Sequence, residues 1–481
     1  MTPESGASFK VGEFLSRHSG SRGVIKNFNN LFVGVSRALF LDNVLLRNST
    51  VTKYRLLYQT HFFAATLFFF LISVNFSEVF AAKPNHATPA TAKESATPAG
   101  SAASTAKAGA TAPIKGTVIP APPQVAAGAW TLMDADTGRV FAENNADTRV
   151  EPASLTKIMT AYVVFNAIHS GEKSLTDSVR ISEHAWKTGG SRTYLDLGSQ
   201  VPLETVLLGM IVQSGNDASV ALAEHIAGTE QAFSDLMNHH AEQIGMVNSH
   251  FENATGLPGQ QHYSSAHDLA LLSKSLIQRF PEEYKIFSVK EFTYNGIVQH
   301  NRDVLLRRDE SVDGIKTGFT DRAGYCLVSS AKREEMRLIS VVMNTKSPAA
   351  RAREAQALLD YGFRFWETHR VHVGRQPMAT TRVWKGAQRE LAVGTAQDIH
   401  VTVPRGSYKT VTTNFEIQNH IVAPVNKNQT VGTMHVTLPD GKVEDYPLVA
   451  IEEIALGSWW RRLVDMILMW FNMDSFGLGK G

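Results

Sequence analysis

The sequence predicts an α+β unit with helices on an antiparallel sheet, then a small all-β domain and a C-terminal amphipathic helix. Three observations predict it. Strand-like apolar runs stand at both ends of a helix-periodic stretch between residues 124 and 368; from His369 the chain turns to short β-branched runs; and Leu456 to Met473 returns to helical spacing. The composition, with 43% hydrophobic and 19% charged residues, is that of an ordinary globular protein. At roughly 100–200 residues per domain, the 481 residues allow two to four units. The 47 Lys+Arg against 45 Asp+Glu leave a net charge of +2, which lacks the basic footprint of a nucleic-acid binder and argues against that partner. A single cysteine, Cys326, excludes an internal disulfide framework and a thiolate metal cluster.

The amino-terminal 82 residues read as a long leader. Lys53 and Arg55 precede an apolar run from Phe62 to Val74, and Val79 and Ala81 are small enough to precede a cut near Ala82, the three parts of a secretory signal. An uncleaved anchor or a buried strand is the alternative, and residues 1–55 are long for the basic portion of a signal. Residues 83–123, almost entirely Ala, Thr, Pro, Ser, Lys and Gly, bury too little apolar surface to offset chain entropy and read as a flexible linker.

The first globular segment, AWTLMDADTGRVFAENNAD, alternates as two strands around a turn at Asp136 to Gly138. Helical periodicity follows: an amphipathic helix over Leu155 to Ile168, with Pro152 near its first turn, then helices over Val220 to Ala227 and Gln231 to Ile244. Gly324 to Ala331 and Arg337 to Met343 are two further strands around a polar turn. The runs HRVHV, HVTV, KTVTT, GTMHVTL and YPLVAI build the β domain, 369–455. In the terminal segment, 456–481, Trp459, Trp460, Leu463, Ile467, Trp470 and Phe471 share helical spacing while Arg461, Arg462 and Asp465 face elsewhere. A Trp-rich face flanked by Arg suits a membrane surface, and docking on the β domain is the plain alternative.

Three short elements carry candidate chemistry. In EPASLTKIM, Ser154 stands at a helix start with Lys157 one turn on, so both project from one face. A buried lysine can be neutral and accept the serine proton. Ser104/Lys107, Ser170/Lys173 and Ser329/Lys332 match the same spacing but lack the helix-start setting. In VQSGNDASVAL, Ser214 and Asn216 occupy a turn before a helix, where a hydroxyl and a carboxamide face a cleft or, equally, cap the helix together with Asp217. In GIKTGFT, Lys316 and Thr317 can hydrogen-bond a carboxylate, and Gly318 lets a ligand backbone approach the strand. Lys187-Thr188-Gly189 repeats the tripeptide in loop-like sequence. Cys326 lacks an evident base and reads as packed in the sheet. His239, His240, His250, His262 and His267 show no metal spacing, and His239 and His240 read as lying on a solvated helix face; no metal or cofactor is called for.

In this order the three motifs resemble those of the penicillin-binding proteins and serine β-lactamases. NATGLP at 253–258, YSSAHDLALL at 263–272, VDGIKTGFTDRAGYCLVSSA at 312–331 and GFRFWET at 362–368 narrow the resemblance to the low-molecular-mass D-alanyl-D-alanine carboxypeptidases, peptidase family S11, over roughly residues 124–457. It implies a penicillin-binding-protein-like catalytic domain and a serine peptidase that removes the terminal D-alanine from peptidoglycan stem peptides. Ser154 is then the nucleophile, Lys157 the general base and Ser214 the proton shuttle. Asn216 holds the acyl-side amide. Lys316, Thr317, Gly318 and Arg351 line the carboxylate site, and the backbone N–H groups of Ser154 and Phe319 form the oxyanion hole. Arg353 is near enough to be confused with Arg351, and Phe319 stands where relatives carry a polar residue. The resemblance also implies β-lactam antibiotics as covalent inhibitors and a periplasmic enzyme held at the inner-membrane surface by its terminal helix. A DD-endopeptidase, a weak β-lactamase and a non-catalytic penicillin- or wall-binding protein are the rival readings. Against the lactamase, no E-x-x-L-N element stands between Ser214 and Lys316.

Overall fold

The structure, a computed structural model, describes residues 119–471. The expected leader and residues 83–118 of the expected linker lie outside the described residues. The last residues assigned to that linker belong to the folded unit: Ile119 packs against the second core cluster, and the Pro120 carbonyl accepts a hydrogen bond from the Tyr361 hydroxyl at 3.0 Å.

The first sheet has five antiparallel strands: β1 (Ala129–Asp134), β2 (Val140–Asn144), β3 (Val312–Thr320), β4 (Gly324–Arg333) and β5 (Met336–Thr345), in the order β2-β1-β5-β4-β3. The two ends of the domain thus meet at the centre, where β1 pairs β5 with Thr131 opposite Val341. Alternation along β5 sends Ile339, Val341 and Met343 to one core and Leu338 and Val342 to the other, so both faces are covered. This is why these antiparallel strands read as continuous apolar runs.

The helical side comprises α1 (Thr156–His169), α2 (Leu203–Val212), α3 (Asn216–Ala227), α4 (Glu230–Ile244) and α5 (Ala266–Arg279), and α6 (Pro348–Phe365) packs on the sheet. The spacing predicts an amphipathic α1, but eleven of its fourteen residues are buried. It is a central helix wrapped by the others, and its buried polar groups, Lys157 included, are desolvated. His240 also departs from expectation: it is half-buried, edge-on to Tyr162 with ring centroids 5.5 Å apart, while His239 is exposed.

The β domain begins at Trp366, three positions ahead of the boundary read from composition. Trp366–His372 pairs Ile399–Pro404, and this pair and a six-stranded sheet together enclose Val393, Val401, Met434, Val436 and Ala450. The terminal helix α7 (Trp459–Phe471) lays its polar face on this domain: Asp465 Oδ2 accepts from the Lys385 backbone N–H at 2.6 Å, and Arg461 donates to the Ala387 carbonyl at 2.7 Å. Trp459, Trp460, Ile467 and Trp470 are exposed, Trp470 by 83%, and Leu463 is half-buried. The side chain of Phe471 is outside the description. Among the described residues, no helix is long and apolar enough to cross a membrane.

Candidate active site

A tight turn at Ala153–Leu155, with Ala153 at φ +48°, sets Ser154 at the mouth of α1 and leaves its side chain half-buried in an open cleft of about 640 Å³. One turn on, Lys157 is fully buried, with Nζ 3.2 Å from Ser154 Oγ. Nζ also reaches Asn216 Oδ1 at 2.7 Å and the Thr255 carbonyl at 2.5 Å. Burial, reinforced by the positive charge of Arg302 and opposed by Asp217 and Glu230, lowers its pKa from 10.5 to about 7. The contacts fit the neutral amine: two N–H bonds serve the two carbonyl-type acceptors, and the lone pair is left for the Ser154 hydroxyl proton.

Ser214 lies between α2 and α3 with φ +65°, and its buried Oγ has no hydrogen-bond partner. It lines the cleft and does not cap α3, whose N-cap is Gly215 without a side-chain bond. Asn216 donates from Nδ2 to the Gly189 carbonyl at 2.7 Å, which orients Oδ1 toward Lys157. The second KTG tripeptide therefore contributes through one carbonyl, while its Lys187 is exposed and paired with Glu183. Asp217 is fully buried and accepts from the backbone N–H groups of Thr193, Tyr194, Leu195 and Ala218, so it pins the segment beside the cleft as well as its own helix.

On β3, Thr317 and Gly318 line the cleft and Lys316 lies buried beneath it, Nζ donating to the Thr317 carbonyl at 3.0 Å. Burial and the charges of Lys157, Arg302 and Arg351 hold the Lys316 pKa well below its usual range, with Asp303 opposing. Gly318 also serves the packing of the site. A Cβ there would stand 3.1 Å from the Pro152 carbonyl oxygen and 3.3 Å from Ala153 Cβ, so the glycine lets β3 approach the Ser154 turn closely. Arg351, on α6, is buried, lines the cleft and donates to the Gly318 carbonyl at 3.2 Å; Arg353 is exposed and paired with Glu354. Phe319 stacks on its cross-strand partner Tyr325 with centroids 4.3 Å apart.

The Ser170/Lys173 and Ser329/Lys332 decoys fail locally: Ser170 follows α1, and in β4 residues three apart face opposite sides, Ser329 buried and Lys332 exposed. Cys326 is fully buried, and burial pushes its thiol up to about 11, which removes it as a nucleophile. Among the described residues, no group of three His, Cys, Asp or Glu side chains is placed to hold a metal.

Four residues that shape the site were not read as site residues from the sequence, although Thr255 lies in the NATGLP segment. Thr255 acts through its carbonyl, which side-chain type does not report; Asn253 Oδ1 holds it by accepting from Thr255 N, Thr255 Oγ1 and Gly256 N. Asp217 read only as a cap. Arg302, which lines the cleft and donates to Ser191 Oγ at 2.9 Å, and Asp303 stand outside the three motifs.

A family model described as D-alanyl-D-alanine carboxypeptidase matches residues 116–347, and one described as penicillin-binding protein 5, C-terminal domain, matches residues 366–455. The D-alanyl-D-alanine carboxypeptidase DacA of Escherichia coli (strain K12) is 42% identical over 365 residues, 74% of this chain and 90% of that one. The chain belongs to this carboxypeptidase family. DacF of Bacillus subtilis (strain 168) is 37% identical over 67% of this chain and 84% of its own. Penicillin-binding protein 5 from Haemophilus influenzae superposes with a TM-score of 0.64 at 40% identity, covering 70% of this chain and 99% of that one. Penicillin-binding protein 6B from Escherichia coli does so with a TM-score of 0.58 at 35% identity, covering 70% and 99%. These family members share the architecture expected from the motifs, a catalytic α+β domain followed by an all-β domain.

Proposed function

We propose that the protein is a serine D-Ala-D-Ala carboxypeptidase that trims peptidoglycan stem peptides through an acyl-enzyme. The observation that carries this is the buried Lys157 amine 3.2 Å from Ser154 Oγ with both its N–H bonds already committed. Lys157 takes the Ser154 proton as Oγ attacks the carbonyl of the penultimate D-alanine. The oxyanion faces the backbone N–H groups of Ser154 and Phe319. Ser214, whose Oγ has no other partner, passes the proton to the leaving amine, and terminal D-alanine departs. Asn216 receives the acyl-side amide. Lys316, Thr317 and Arg351 hold the terminal carboxylate, consistent with a cleft bordered by Arg192, Arg302 and Arg351.

Water then attacks the ester, with Lys157 again as base. Among the described residues, none lining the cleft is Asp or Glu, so no separate carboxylate is placed to activate that water. This favours a long-lived penicilloyl-enzyme over drug hydrolysis. The enzyme is exported, and the exposed Trp459, Trp460 and Trp470 of α7 rest on the outer face of the inner membrane.

Intact-mass analysis with penicillin, beside Ser154→Ala and an assay of D-alanine release from a D-Ala-D-Ala peptide, tests the reading. An adduct absent from the variant, with D-alanine released by the wild type, supports it; neither adduct nor release sinks it.

A further inference from the structure

A buried histidine stands beside the first motif without a part in the chemistry described above. His262 is 3% exposed and lies on the segment that returns from the cleft to α5. Its neighbour Tyr263 exchanges backbone hydrogen bonds with His250, at 2.9 and 3.0 Å. Residues 251–262 therefore form a loop closed at its base, and this loop carries the Thr255 carbonyl to Lys157.

Both ring nitrogens of His262 are engaged. Nδ1 accepts from the Glu252 backbone N–H at 3.1 Å, so the proton of the neutral ring sits on Nε2, which donates to Thr156 Oγ1 at 2.8 Å. One bond folds the loop on itself; the other ties it to the first residue of α1, next to Lys157. Phe251 stands edge-on to the imidazole with centroids 5.8 Å apart. Further along, Thr160 Oγ1 donates to the Ala254 carbonyl at 2.7 Å and Glu230 Oε1 accepts from the Ala254 N–H at 3.0 Å. An apolar side chain would fill the space of the ring, but Glu252 and Thr156 together call for an acceptor and a donor one carbon apart. We infer that His262 is a positioning residue: by donating to Thr156 and accepting from Glu252 it holds the 252–256 loop on the start of α1 and so keeps the Thr255 carbonyl on Lys157.

The consequence for Lys157 follows from what makes its amine neutral. Burial is the largest cause of its lowered pKa, and the loop is the wall on the Thr255 side. A loosened loop admits water to the amine, which then stays protonated to higher pH. His262 itself is neutral wherever Lys157 titrates, because burial, with His250 and Lys157 adding to it, lowers its pKa to about 4. Arg302, Asp217 and Glu230 also act on Lys157, and a substitution at position 262 leaves all three in place.

This role presupposes the carboxypeptidase reading, in which Lys157 is the base. His262→Phe keeps the bulk of the ring and removes both polar contacts, while His262→Gln keeps an acceptor and a donor one carbon apart. Penicillin acylation of the full chain is measured from about pH 5.5 to about pH 9.5. In His262→Phe the rate at about pH 7 should fall roughly ten-fold, with the rising limb displaced upward by about one pH unit. His262→Gln should stay within about three-fold of the wild type with its limb in place. Thr156→Val removes the other partner and should reproduce the displacement; it replaces His262→Phe should that variant not fold. A Phe variant with the wild-type rate and profile overturns the inference. So does one whose limb stays in place while only its rate or melting temperature falls, which marks a structural role, and so does a Gln variant as impaired as Phe. Failure of the carboxypeptidase reading looks different, as a wild type that forms no penicillin adduct and releases no D-alanine.

Discussion

Asn216 Oδ1 stands 2.7 Å from Lys157 Nζ, and the same carboxamide donates to the Gly189 carbonyl at 2.7 Å. One side chain thereby ties the lysine of the first motif to the loop that carries the decoy of the third. Since the Gly189 contact fixes the amide orientation, Lys157 is offered an acceptor on that side, and its lone pair is directed to Ser154.

Because the folded-state pKa of Lys157 is about 7 instead of 10.5, the reactive neutral form gains as pH rises. Penicillin acylation is expected to increase from about pH 6 to a plateau above about pH 8. Lys157→Met should lower the acylation rate by roughly 10²–10⁴. A flat wild-type profile over that range would refute the base assignment.

Arg351 and Arg353 separate by site. Arg351 is buried at the cleft and Arg353 forms an exposed pair with Glu354. Losing a charge-assisted hydrogen bond worth about 1.5–3 kcal/mol raises KM about ten- to a hundred-fold in Arg351→Gln. Arg353→Gln should remain within about two-fold. Equal effects from the two would remove Arg351 from the carboxylate site.

Asp217→Asn leaves one acceptor oxygen where two served the N–H groups of Thr193, Tyr194, Leu195 and Ala218, and turns an amide N–H toward donors. A loss of about 3 kcal/mol is expected. Thermal melting reads the total. Faster hydrogen exchange at residues 193–195 locates it, and unaltered exchange there would contradict the pinning role.

Gly256 has φ +83°, and a Cβ on it would lie 1.8 Å from the Ala153 carbonyl oxygen. Gly256→Ala must push the Thr255 loop off the Ser154 turn, at a cost of at least about 2 kcal/mol. The penicillin adduct should form far more slowly, because Lys157 loses the Thr255 carbonyl. Adduct formation at the wild-type rate would count against that contact.

The helix α7 keeps Asp465 and Arg461 on the β domain and leaves Trp459, Trp460 and Trp470 uncovered. Replacing the three with Ser should abolish co-sedimentation with anionic lipid vesicles while D-alanine release from a small peptide persists. Retention on vesicles would place the attachment elsewhere. Deleting residues 456–481 is expected to have the same effect.

Much of this architecture is encoded in short-range patterns. The hairpin of β1 and β2, the strand pair of β4 and β5, the helix beginning beside Ser154 and the order of the three motifs were legible because periodicity and turn chemistry act within a few residues. Tertiary structure decided the rest. It enclosed α1, which its own pattern presented as amphipathic, and so brought Lys157 into the neutral range; it set Arg351 and not Arg353 at the cleft. It also brought the Thr255 carbonyl to Lys157 from 98 residues away. Desolvation and the field of neighbouring charges depend on distance in space, and no local pattern of residues carries that distance.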